Sequence, residues 1–222
     1  MQEQGSLEHR PRRHGAPASW ARVFRQRILD EAEAQLKHQS LSELSCTDLA
    51  SALGVRPVSL FKHFRDVEDI RDNLSLRALE QLTELLRSSI VGRAGSSALA
   101  MLVSMQRLYA QDRPRMYAAA LRGQSSSAPE LAEAFVAFAR IEASALGAYC
   151  MAADDAAGLA WCLRAAIRGA IELEAADRGA NPHVVDGHFE RLVDVFDDAA
   201  RAAGVHSPGS PGRRRFSEAA SL

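Results

Sequence analysis

The sequence predicts an all-α protein, and three observations support that prediction. The chain contains 40 alanines among its 222 residues, and alanine has the highest helix propensity of any residue. Aromatic residues make up only 6% of the chain, and β-branched residues are also few, although both classes are enriched in strands. Apolar residues recur every three or four positions. We therefore expect about nine helices and no strand.

The first two predicted helices are the easiest to delimit. The first covers 20–38, where apolar residues recur at steps of four. The second covers 46–53 and follows a capping box, in which the hydroxyl of Ser45 accepts a hydrogen bond from the backbone N–H of Asp48. Gly54 ends this helix, because glycine adopts the left-handed conformation at little cost.

The remaining helices are predicted from similar start and stop residues. Pro57 stands near the start of a short helix, where its missing N–H does no harm. Asp66 caps a long helix, and Asp154 is expected to cap a later one. These seven helices are predicted over 57–64, 67–91, 98–111, 114–122, 130–152, 154–176 and 181–203.

Composition excludes several classes of protein. With 47% apolar and 25% charged residues, the chain is not wholly disordered. It has no uninterrupted run of 18 apolar residues and no apolar leader near residue 1, so neither a membrane span nor a secretory signal is expected. The three cysteines, Cys46, Cys150 and Cys162, lack metal-ligand spacing. We expect a cytoplasmic protein, with Cys150 and Cys162 as small buried apolar residues rather than redox sensors.

The segment 45–64, SCTDLASALGVRPVSLFKHF, is the most informative part of the chain. It reads as two short helices joined by a tight turn at Gly54, with the small Ala50 where the helices must approach closely. This is the helix-turn-helix pattern, whose second helix enters the major groove of DNA. A plain αα-hairpin with a glycine turn has the same spacing, so the pattern alone leaves both interpretations open.

The distribution of charge favours DNA binding. The formal net charge of the whole chain is −1, from 27 basic and 28 acidic residues. Residues 10–65 contain 10 basic and 5 acidic residues, a net of +5, whereas residues 66–206 contain 14 and 20, a net of −6. A basic region that coincides with the helix-turn-helix is the charge pattern of a nucleic-acid-binding domain.

Four regions follow from these patterns. Residues 1–18 are expected to form a flexible basic arm that carries Arg10, Arg12, Arg13 and His14. Residues 19–66 are the predicted DNA-binding domain, residues 67–204 a larger helical domain, and residues 205–222 a disordered tail rich in Pro, Gly and Ser.

Residues 22–75 resemble the DNA-binding domain of the tetracycline-repressor (TetR) family of bacterial regulators. The matching stretches are RQRILDEAEAQL, LASALGV and SLFKHF followed by a helix with an acidic cap. The segment WCLRAAIRGAIELEA (161–175) is similar to the WHG-type ligand domain of one subgroup, with Arg168 in place of the motif's histidine. The resemblance implies a homodimeric repressor that a small-molecule ligand releases from a palindromic operator in double-stranded DNA. It also implies that residues 67–204 form the ligand-binding and dimerisation domain.

Positions that match the family's recognition elements are the candidate DNA contacts. Base-edge contacts are expected on the exposed face of the recognition helix, because Arg and Lys suit guanine and Val suits the thymine methyl group. Phe61 is open between a base or sugar contact and packing, and Leu60 and Phe64 are expected in the core. The predicted base contacts are Arg56, Pro57, Val58, Ser59 and Lys62, and the predicted phosphate contacts are Arg22, Ser45, Thr47 and His63.

The sequence also departs from the family pattern. Phe61 replaces a common tyrosine, and Val67 stands where many members have a lysine. Thr47 and Asp48 replace residues that are often arginine. These changes remove phosphate contacts, so we expect either weaker DNA binding or compensation by the arm. The alternative function is a helical sensing or protein-interaction module with weak or lost DNA binding.

The resemblance also implies a pocket for a small, largely apolar ligand, because methionines and aromatic residues adapt to such molecules. Packing in the core is the alternative for most of these residues. Arg164 and Arg168 could bind a ligand carboxylate, but an Arg168–Glu172 ion pair is an equally good interpretation. The candidate ligand-binding residues are Met101, Met105, Tyr109, Met116, Tyr117, Phe138, Trp161, Arg164 and Arg168.

The last two helices are the predicted dimer interface. Small residues on the first and apolar residues on the second could build a four-helix interface with a second subunit. Packing within one chain is the alternative. The apolar residues in question are Val185, Phe189, Leu192, Val193 and Phe196. No catalytic, metal-binding or cofactor motif is recognised, so an enzyme is not expected.

Overall fold

The structure is a computed structural model that describes residues 18–122, 128–177, 179 and 181–205. Within these ranges the chain forms eight α-helices, three 3-10 segments and no strand, which confirms the all-α prediction. The helices are α1 (Ala18–Gln35), α2 (Cys46–Ala52), α3 (Val67–Ile90), α4 (Gly95–Asp112), α5 (Pro114–Leu121), α6 (Pro129–Ala145), α7 (Ala153–Ala176) and α8 (Pro182–Val205). The 3-10 segments are Leu41–Glu43, Pro57–Lys62 and Gly147–Tyr149. The predicted arm up to residue 17 and the tail from residue 206 lie outside the described ranges.

Two of the predicted caps are confirmed. The backbone N–H of Asp48 donates to the hydroxyl of Ser45 at 3.1 Å, and that hydroxyl donates to the Asp48 carboxylate at 2.6 Å. At the start of α3, the backbone N–H of Asp69 donates to the carboxylate of Asp66 at 2.8 Å. Both helices therefore begin where the sequence placed them, because side-chain oxygens satisfy N–H groups of the first turn.

Three predicted helix boundaries are wrong. The helix predicted over 57–64 is a 3-10 segment, Pro57–Lys62. The helix predicted to reach residue 152 ends at Ala145, and Cys150 then adopts a left-handed conformation with φ of 52°. Asp154 does not cap α7, because the cap residue is Ala152 and Asp154 lies inside the first turn, where its carboxylate faces the positive end of the helix dipole.

Helix α3 is the centre of the fold. It contacts α1 in the N-terminal part of the chain and α4, α5 and α6 in the C-terminal part. Ile70, Leu74 and Leu82 on α3 are fully buried in a hydrophobic core that includes Leu49 and Leu60 at one end and Phe138 at the other. The helix-turn-helix and the C-terminal bundle are therefore joined by one continuous core along α3.

Helix α8 packs against α4 and α7 within the same chain. Val185, Phe189 and Val193 are buried there, and the guanidinium of Arg107 lies 4.4 Å from the centre of the Phe189 ring. The prediction that these three residues form an intersubunit surface is wrong for this chain, because α4 already covers them. Leu192 and Phe196 are half-buried against the same core.

Cys150 and Cys162 are exposed, and Cys46 is half-buried. The prediction that Cys150 and Cys162 are buried apolar residues is therefore wrong. Cys150 lies in the turn after α6, and Cys162 lies on the outer face of α7 beside Trp161. Burial raises the pKa of the Cys46 thiol, so Cys46 behaves as the small apolar residue that was expected at the other two positions.

Gly204 on α8 lies close to the backbone of Tyr149. A Cβ atom at this position would stand 2.0 Å from the carbonyl oxygen of Tyr149. We expect Gly204→Ala to lower the free energy of unfolding by about 2 kcal/mol, because the end of α8 must move away from the 3-10 segment. Gly187→Ala on the same helix meets nothing within 4 Å and should be neutral or stabilising. Urea denaturation of both variants measures the difference, and equal stabilities would contradict the contact.

Candidate nucleic-acid interface and ligand cleft

The 3-10 segment Pro57–Lys62 is held in place by the turn before it and by one buried side chain. Gly54 adopts a left-handed φ of 67°, and the backbone N–H of Val55 donates to the carbonyl of Ala50 at 2.9 Å, which closes the end of α2. Leu60 is fully buried in the core. With one side anchored by Leu60, the opposite side of the segment must face solvent.

The exposed side of this segment carries two apolar residues and a lysine. Val58 is 62% exposed and Phe61 is 50% exposed, while Lys62 is also exposed. Large apolar side chains at this exposure on a helix-turn-helix are available for contact with another molecule. Phe61 does not pack into the core, so the packing role left open for it from the sequence is wrong.

The structure brings most of the predicted DNA contacts to one end of the molecule. Arg56, Pro57, Val58 and Lys62 are exposed on the 3-10 segment, and Ser59 is half-buried there. His63 is half-buried and lies against the Phe24 ring with their centres 5.1 Å apart, so its ring packs on α1 as well as facing outward. Among the predicted phosphate contacts, Arg22 and Thr47 are exposed and Ser45 is half-buried by its role in the cap.

Arg25 is the residue of this region that sequence reasoning missed. Its guanidinium lies 4.1 Å from the centre of the Phe64 ring, donates to the backbone carbonyl of His63, and donates to the side-chain oxygen of Asn73 at 2.6 Å. Arg25 therefore ties α1 to the end of the recognition segment and to α3. Its position directly after Phe24, a residue of the apolar stripe of α1, is the sequence feature that could have indicated this role.

A cleft of about 710 Å³ lies between α5 and α7. Of the candidate ligand-binding residues, Tyr117 and Arg168 line it, and burial raises the pKa of the Tyr117 hydroxyl. Arg168 also forms the predicted ion pair with Glu172 at 2.8 Å. The full lining is Ala110, Pro114, Tyr117, Ala118, Leu121, Arg122, Arg168, Ile171, Glu172 and Ala175.

The other candidate ligand-binding residues lie elsewhere. Tyr109 and Phe138 are buried in the core, Met101 and Met105 are half-buried, and Met116 is buried beside a second cleft next to the end of α1. Core packing, the alternative left open from the sequence, therefore describes Tyr109 and Phe138. Burial raises the pKa of Tyr109 to about 12, so its hydroxyl stays protonated.

Trp161 is 61% exposed on the outer face of α7 and lines neither cleft. The structure thus separates Trp161 from Tyr117 and Arg168, although the sequence grouped all three. It is accompanied by other large apolar side chains that are exposed on the last two helices, namely Leu173, Val184 and Val195. We refer to these four as the exposed apolar residues of α7 and α8.

A buried acid lies at the centre of the C-terminal bundle. The Glu142 side chain is 0% exposed, the Arg164 guanidinium donates to its carboxylate, and the side-chain amide of Gln106 donates to it at 3.3 Å. Burial raises the pKa of Glu142 to about 7, although Arg164 opposes the shift. Arg164 is paired with Glu142 inside the bundle and does not line the cleft between α5 and α7. The predicted contact between Arg164 and a ligand carboxylate is therefore not supported at that cleft.

The described ranges contain no group of three or more His, Cys, Asp or Glu side chains arranged to bind a metal ion. None of the helices in those ranges combines the length and the apolar character that spanning a membrane requires.

The geometry defines a class of protein, an all-α helix-turn-helix protein with a helical C-terminal bundle. Residues 99–196 match the family model of the tetracyclin repressor-like C-terminal domain. An HTH-type transcriptional regulator of Mycobacterium tuberculosis, itself uncharacterised, is 30% identical over 116 residues, which cover 51% of this chain and 53% of that protein. Residues 99–196 are therefore similar to the C-terminal domain of the tetracycline-repressor family.

Solved structures show the same fold. A regulatory protein of the TetR family from Rhodococcus superposes with a TM-score of 0.61 at 12% identity, over 79% of this chain and 96% of the other. The TetR-family transcriptional regulator PfmR of Thermus thermophilus superposes with a TM-score of 0.55 at 20% identity, over 80% of this chain and 98% of the other. The sequence matches are shorter than these superpositions. This chain spans about half the length of the curated relatives it matches.

Proposed function

We propose that this protein is a cytoplasmic transcriptional regulator that binds double-stranded DNA as a homodimer, acting as a repressor released by a small-molecule ligand. The observation that carries the proposal is the solvent-facing side of the 3-10 segment, with Val58, Phe61 and Lys62, on a region of net charge +5 over residues 10–65. In this proposal residues 19–66 bind DNA, and residues 67–204 bind the ligand and form the dimer.

The chemistry of the exposed residues suits the major groove. Lys62 and Arg56 can donate to the acceptor atoms of guanine, and Val58 can contact a thymine methyl group. Thr47 and Arg22 are exposed on α2 and α1, where each can donate to backbone phosphates. Leu60 and Phe64 hold the segment from behind, because both are buried.

Dimerisation is proposed through the exposed apolar residues of α7 and α8. Trp161, Leu173, Val184 and Val195 are exposed on two adjacent helices that already pack together in one chain. Burying such residues against a second copy would build a four-helix arrangement. A dimer places two helix-turn-helix units on half-sites about 34–36 Å apart, which explains why a palindromic operator is expected.

Ligand control is proposed through the cleft between α5 and α7. Its volume of about 710 Å³ is in the range of small-molecule sites, and its lining is mostly apolar with a few charged groups. A ligand that binds one arrangement of the bundle better than another shifts the population of DNA-competent dimers.

Lys62→Ala should weaken binding to a duplex selected in vitro by the native protein by roughly 1–3 kcal/mol, because a base contact is lost. Lys37→Ala is the matched control, since Lys37 is the chain's other lysine and lies exposed after α1, away from the recognition segment. Fluorescence anisotropy over a range of salt concentrations measures both. Equal affinities of the two variants would remove Lys62 from the interface.

A second candidate function rests on Phe61. This half-exposed apolar side chain lacks the hydroxyl with which a tyrosine would donate to a phosphate. A protein-interaction module would use Phe61 and Val58 as apolar anchors. Failure of the native protein to select any duplex sequence would favour this alternative.

A further inference from the structure

Helix α1 carries an apolar stripe that extends beyond the core of the helix-turn-helix. Trp20, Phe24 and Ile28 are spaced four residues apart, so their side chains lie on one face of the helix. Ile28 is fully buried, Phe24 is half-buried, and Trp20 is 60% exposed. The face of α1 that packs on the core therefore leaves the core after Phe24 and ends in an indole that is mostly exposed.

The exposed end of this stripe lies beside the recognition segment. The rings of Phe24 and His63 lie with their centres 5.1 Å apart, and Arg25 donates to the backbone carbonyl of His63. Trp20 stands about one turn further along α1, about 6 Å beyond Phe24, and helical side chains lean towards the N-terminus of their helix. The indole of Trp20 therefore lies past His63, next to the end of the segment that carries Lys62.

Helix α1 points this end away from the C-terminal bundle. The opposite end is held at the bundle, because Arg115 on α5 donates to the backbone carbonyls of Leu36 at 3.4 Å and Lys37 at 2.7 Å. With 18 residues, α1 is about 27 Å long. Val23 is 54% exposed and follows Trp20 by three residues, so the two side chains are neighbours on the helix surface. We call Trp20 and Val23 the α1 tip.

The charge around the α1 tip favours a polyanion as its partner. Arg22, Arg25 and Arg27 lie within the next turns, and the helix carries no acid before Asp30. Acidic residues stabilise the first turn of a helix through its dipole, but the first turn of α1 contains none. The stability of the helix does not account for this composition, whereas a neighbouring DNA backbone does.

The dimensions of B-DNA place the α1 tip against the DNA backbone. The major groove is about 12 Å wide, and a helix with its side chains is about 10–12 Å across. When the recognition segment occupies the groove, an element packed against its side meets the sugar–phosphate wall and not the base edges. Deoxyribose offers apolar C–H groups to Trp20 and Val23, and phosphate oxygens accept from the indole N–H, which is a donor only.

We propose that the α1 tip is a contact to the DNA backbone, in which Trp20 and Val23 pack against deoxyribose at the wall of the groove and the Trp20 Nε1–H donates to a phosphate oxygen. The inference rests on the proposed function and adds to it an apolar contact outside the recognition segment. Because this contact neutralises no phosphate charge, it adds affinity that depends little on salt.

Fluorescence anisotropy at several salt concentrations separates this contact from an ionic one. Trp20→Ala should weaken binding to the selected duplex about tenfold, and Val23→Ala about threefold, because apolar surface is no longer buried on the DNA. The slope of log affinity against log salt concentration should keep its native value in both variants. Arg22→Ala should instead reduce that slope by about 1. Native affinity in Trp20→Ala, or a loss that disappears at high salt, would overturn the proposal.

Val136→Ala is the matched control for Val23→Ala. Val136 is 49% exposed on α6 of the C-terminal bundle, and its replacement should leave DNA affinity unchanged. Trp20→Phe keeps an apolar ring and loses the N–H, so its affinity should fall between those of the native protein and Trp20→Ala. Because Trp20 is exposed, both of its variants should unfold in urea with the native free energy. Equal affinities of Val23→Ala and Val136→Ala would contradict a contact at Val23.

Fluorine NMR observes the contact at Trp20 directly. The chain contains two tryptophans, Trp20 and Trp161, so protein labelled with 5-fluorotryptophan gives two resonances, and Trp20→Phe assigns them. An exposed fluorine changes its chemical shift between H2O and D2O. We expect Trp20 to show this solvent shift in the free protein and to lose it on the selected duplex, while Trp161 keeps its value. Loss of the solvent shift in the free protein would mean that another part of the protein covers Trp20, and the proposal would be wrong.

The outcomes distinguish this inference from the proposed function. If the native protein selects no duplex, both are overturned. If it binds a duplex while the Trp20 resonance keeps its solvent shift, the contact at the α1 tip is overturned and the proposed function stands. Loss of that solvent shift on the duplex, together with weaker binding of Trp20→Ala at an unchanged salt slope, supports both.

Discussion

Replacing Arg25 by alanine should lower the free energy of unfolding by about 3 kcal/mol and weaken DNA binding beyond what the loss of one positive charge explains. The side chain donates to the carbonyl of His63 and to Asn73, and its guanidinium lies over the ring of Phe64. Its removal leaves two acceptors without their charged donor, each worth about 1.5–3 kcal/mol before relaxation, and it takes away a cation–π contact. Urea denaturation and anisotropy measure the two effects.

Arg27→Ala is the matched control for this experiment. Arg27 lies on the same helix and is exposed, with its guanidinium 5.9 Å from the centre of the Phe24 ring. It carries the same charge near the same region but does not contact the recognition segment. If Arg27→Ala and Arg25→Ala reduced stability and affinity equally, Arg25 would contribute charge only, and its positioning role would be refuted.

Glu142 should make the protein lose stability as the pH rises. Burial raises the pKa of this carboxyl from 4.5 to about 7, so between those values the native state keeps a proton that the unfolded chain has released. The native state is then favoured at low pH, and this contribution is lost as the pH rises through about 7. Between pH 5 and pH 8 the loss amounts to about 2.5 kcal/mol.

Glu142→Gln isolates this contribution. The amide cannot ionise. The free energy of unfolding of the native protein, relative to that of the variant, should therefore fall by about 2.5 kcal/mol from pH 5 to pH 8. Gln106 and Arg164, which surround the carboxylate, remain in place. Glu133→Gln, an exposed acid on the same helix, should show no such trend. A difference that stays constant with pH would mean that Arg164 keeps the acid ionised.

The features of the fold that could be predicted from the sequence are those that depend on neighbouring residues in the chain. Ser45 with Asp48, and Asp66 with Asp69, are local pairs that fix where α2 and α3 begin. The left-handed turn at Gly54 has the same origin. These interactions form within a few residues and need no knowledge of tertiary structure.

The errors arise where a segment is short, or where its burial depends on elements that are distant in the sequence. The segment Pro57–Lys62 has only six residues and begins with Pro57, which supplies no N–H, so i to i+3 hydrogen bonds form in place of a cooperative α-helix. Val185 and Phe189 were predicted to contact a second subunit because their helical spacing shows an apolar face. The spacing does not show that α4 of the same chain covers that face.

The candidate site was predictable in part for the same reason. Exposed positions on the recognition segment follow from the burial of Leu60 and Phe64. The role of Arg25 was not predictable, because its partners lie 38 and 48 residues away in the chain. Glu142 had a detectable signal, namely a lone acid within the apolar run AFVAFARIEASAL.

The 3-10 conformation of Pro57–Lys62 has a consequence for the spacing of DNA bases. With three residues per turn, Val58 and Phe61 lie almost directly above one another, about 6 Å apart along the segment axis. Successive bases on a strand of the duplex are about 3.4 Å apart. The two apolar side chains are therefore spaced to meet bases nearly two steps apart. In an α-helix the second side chain would be rotated by about 60° and would lie only about 4.5 Å further along the axis.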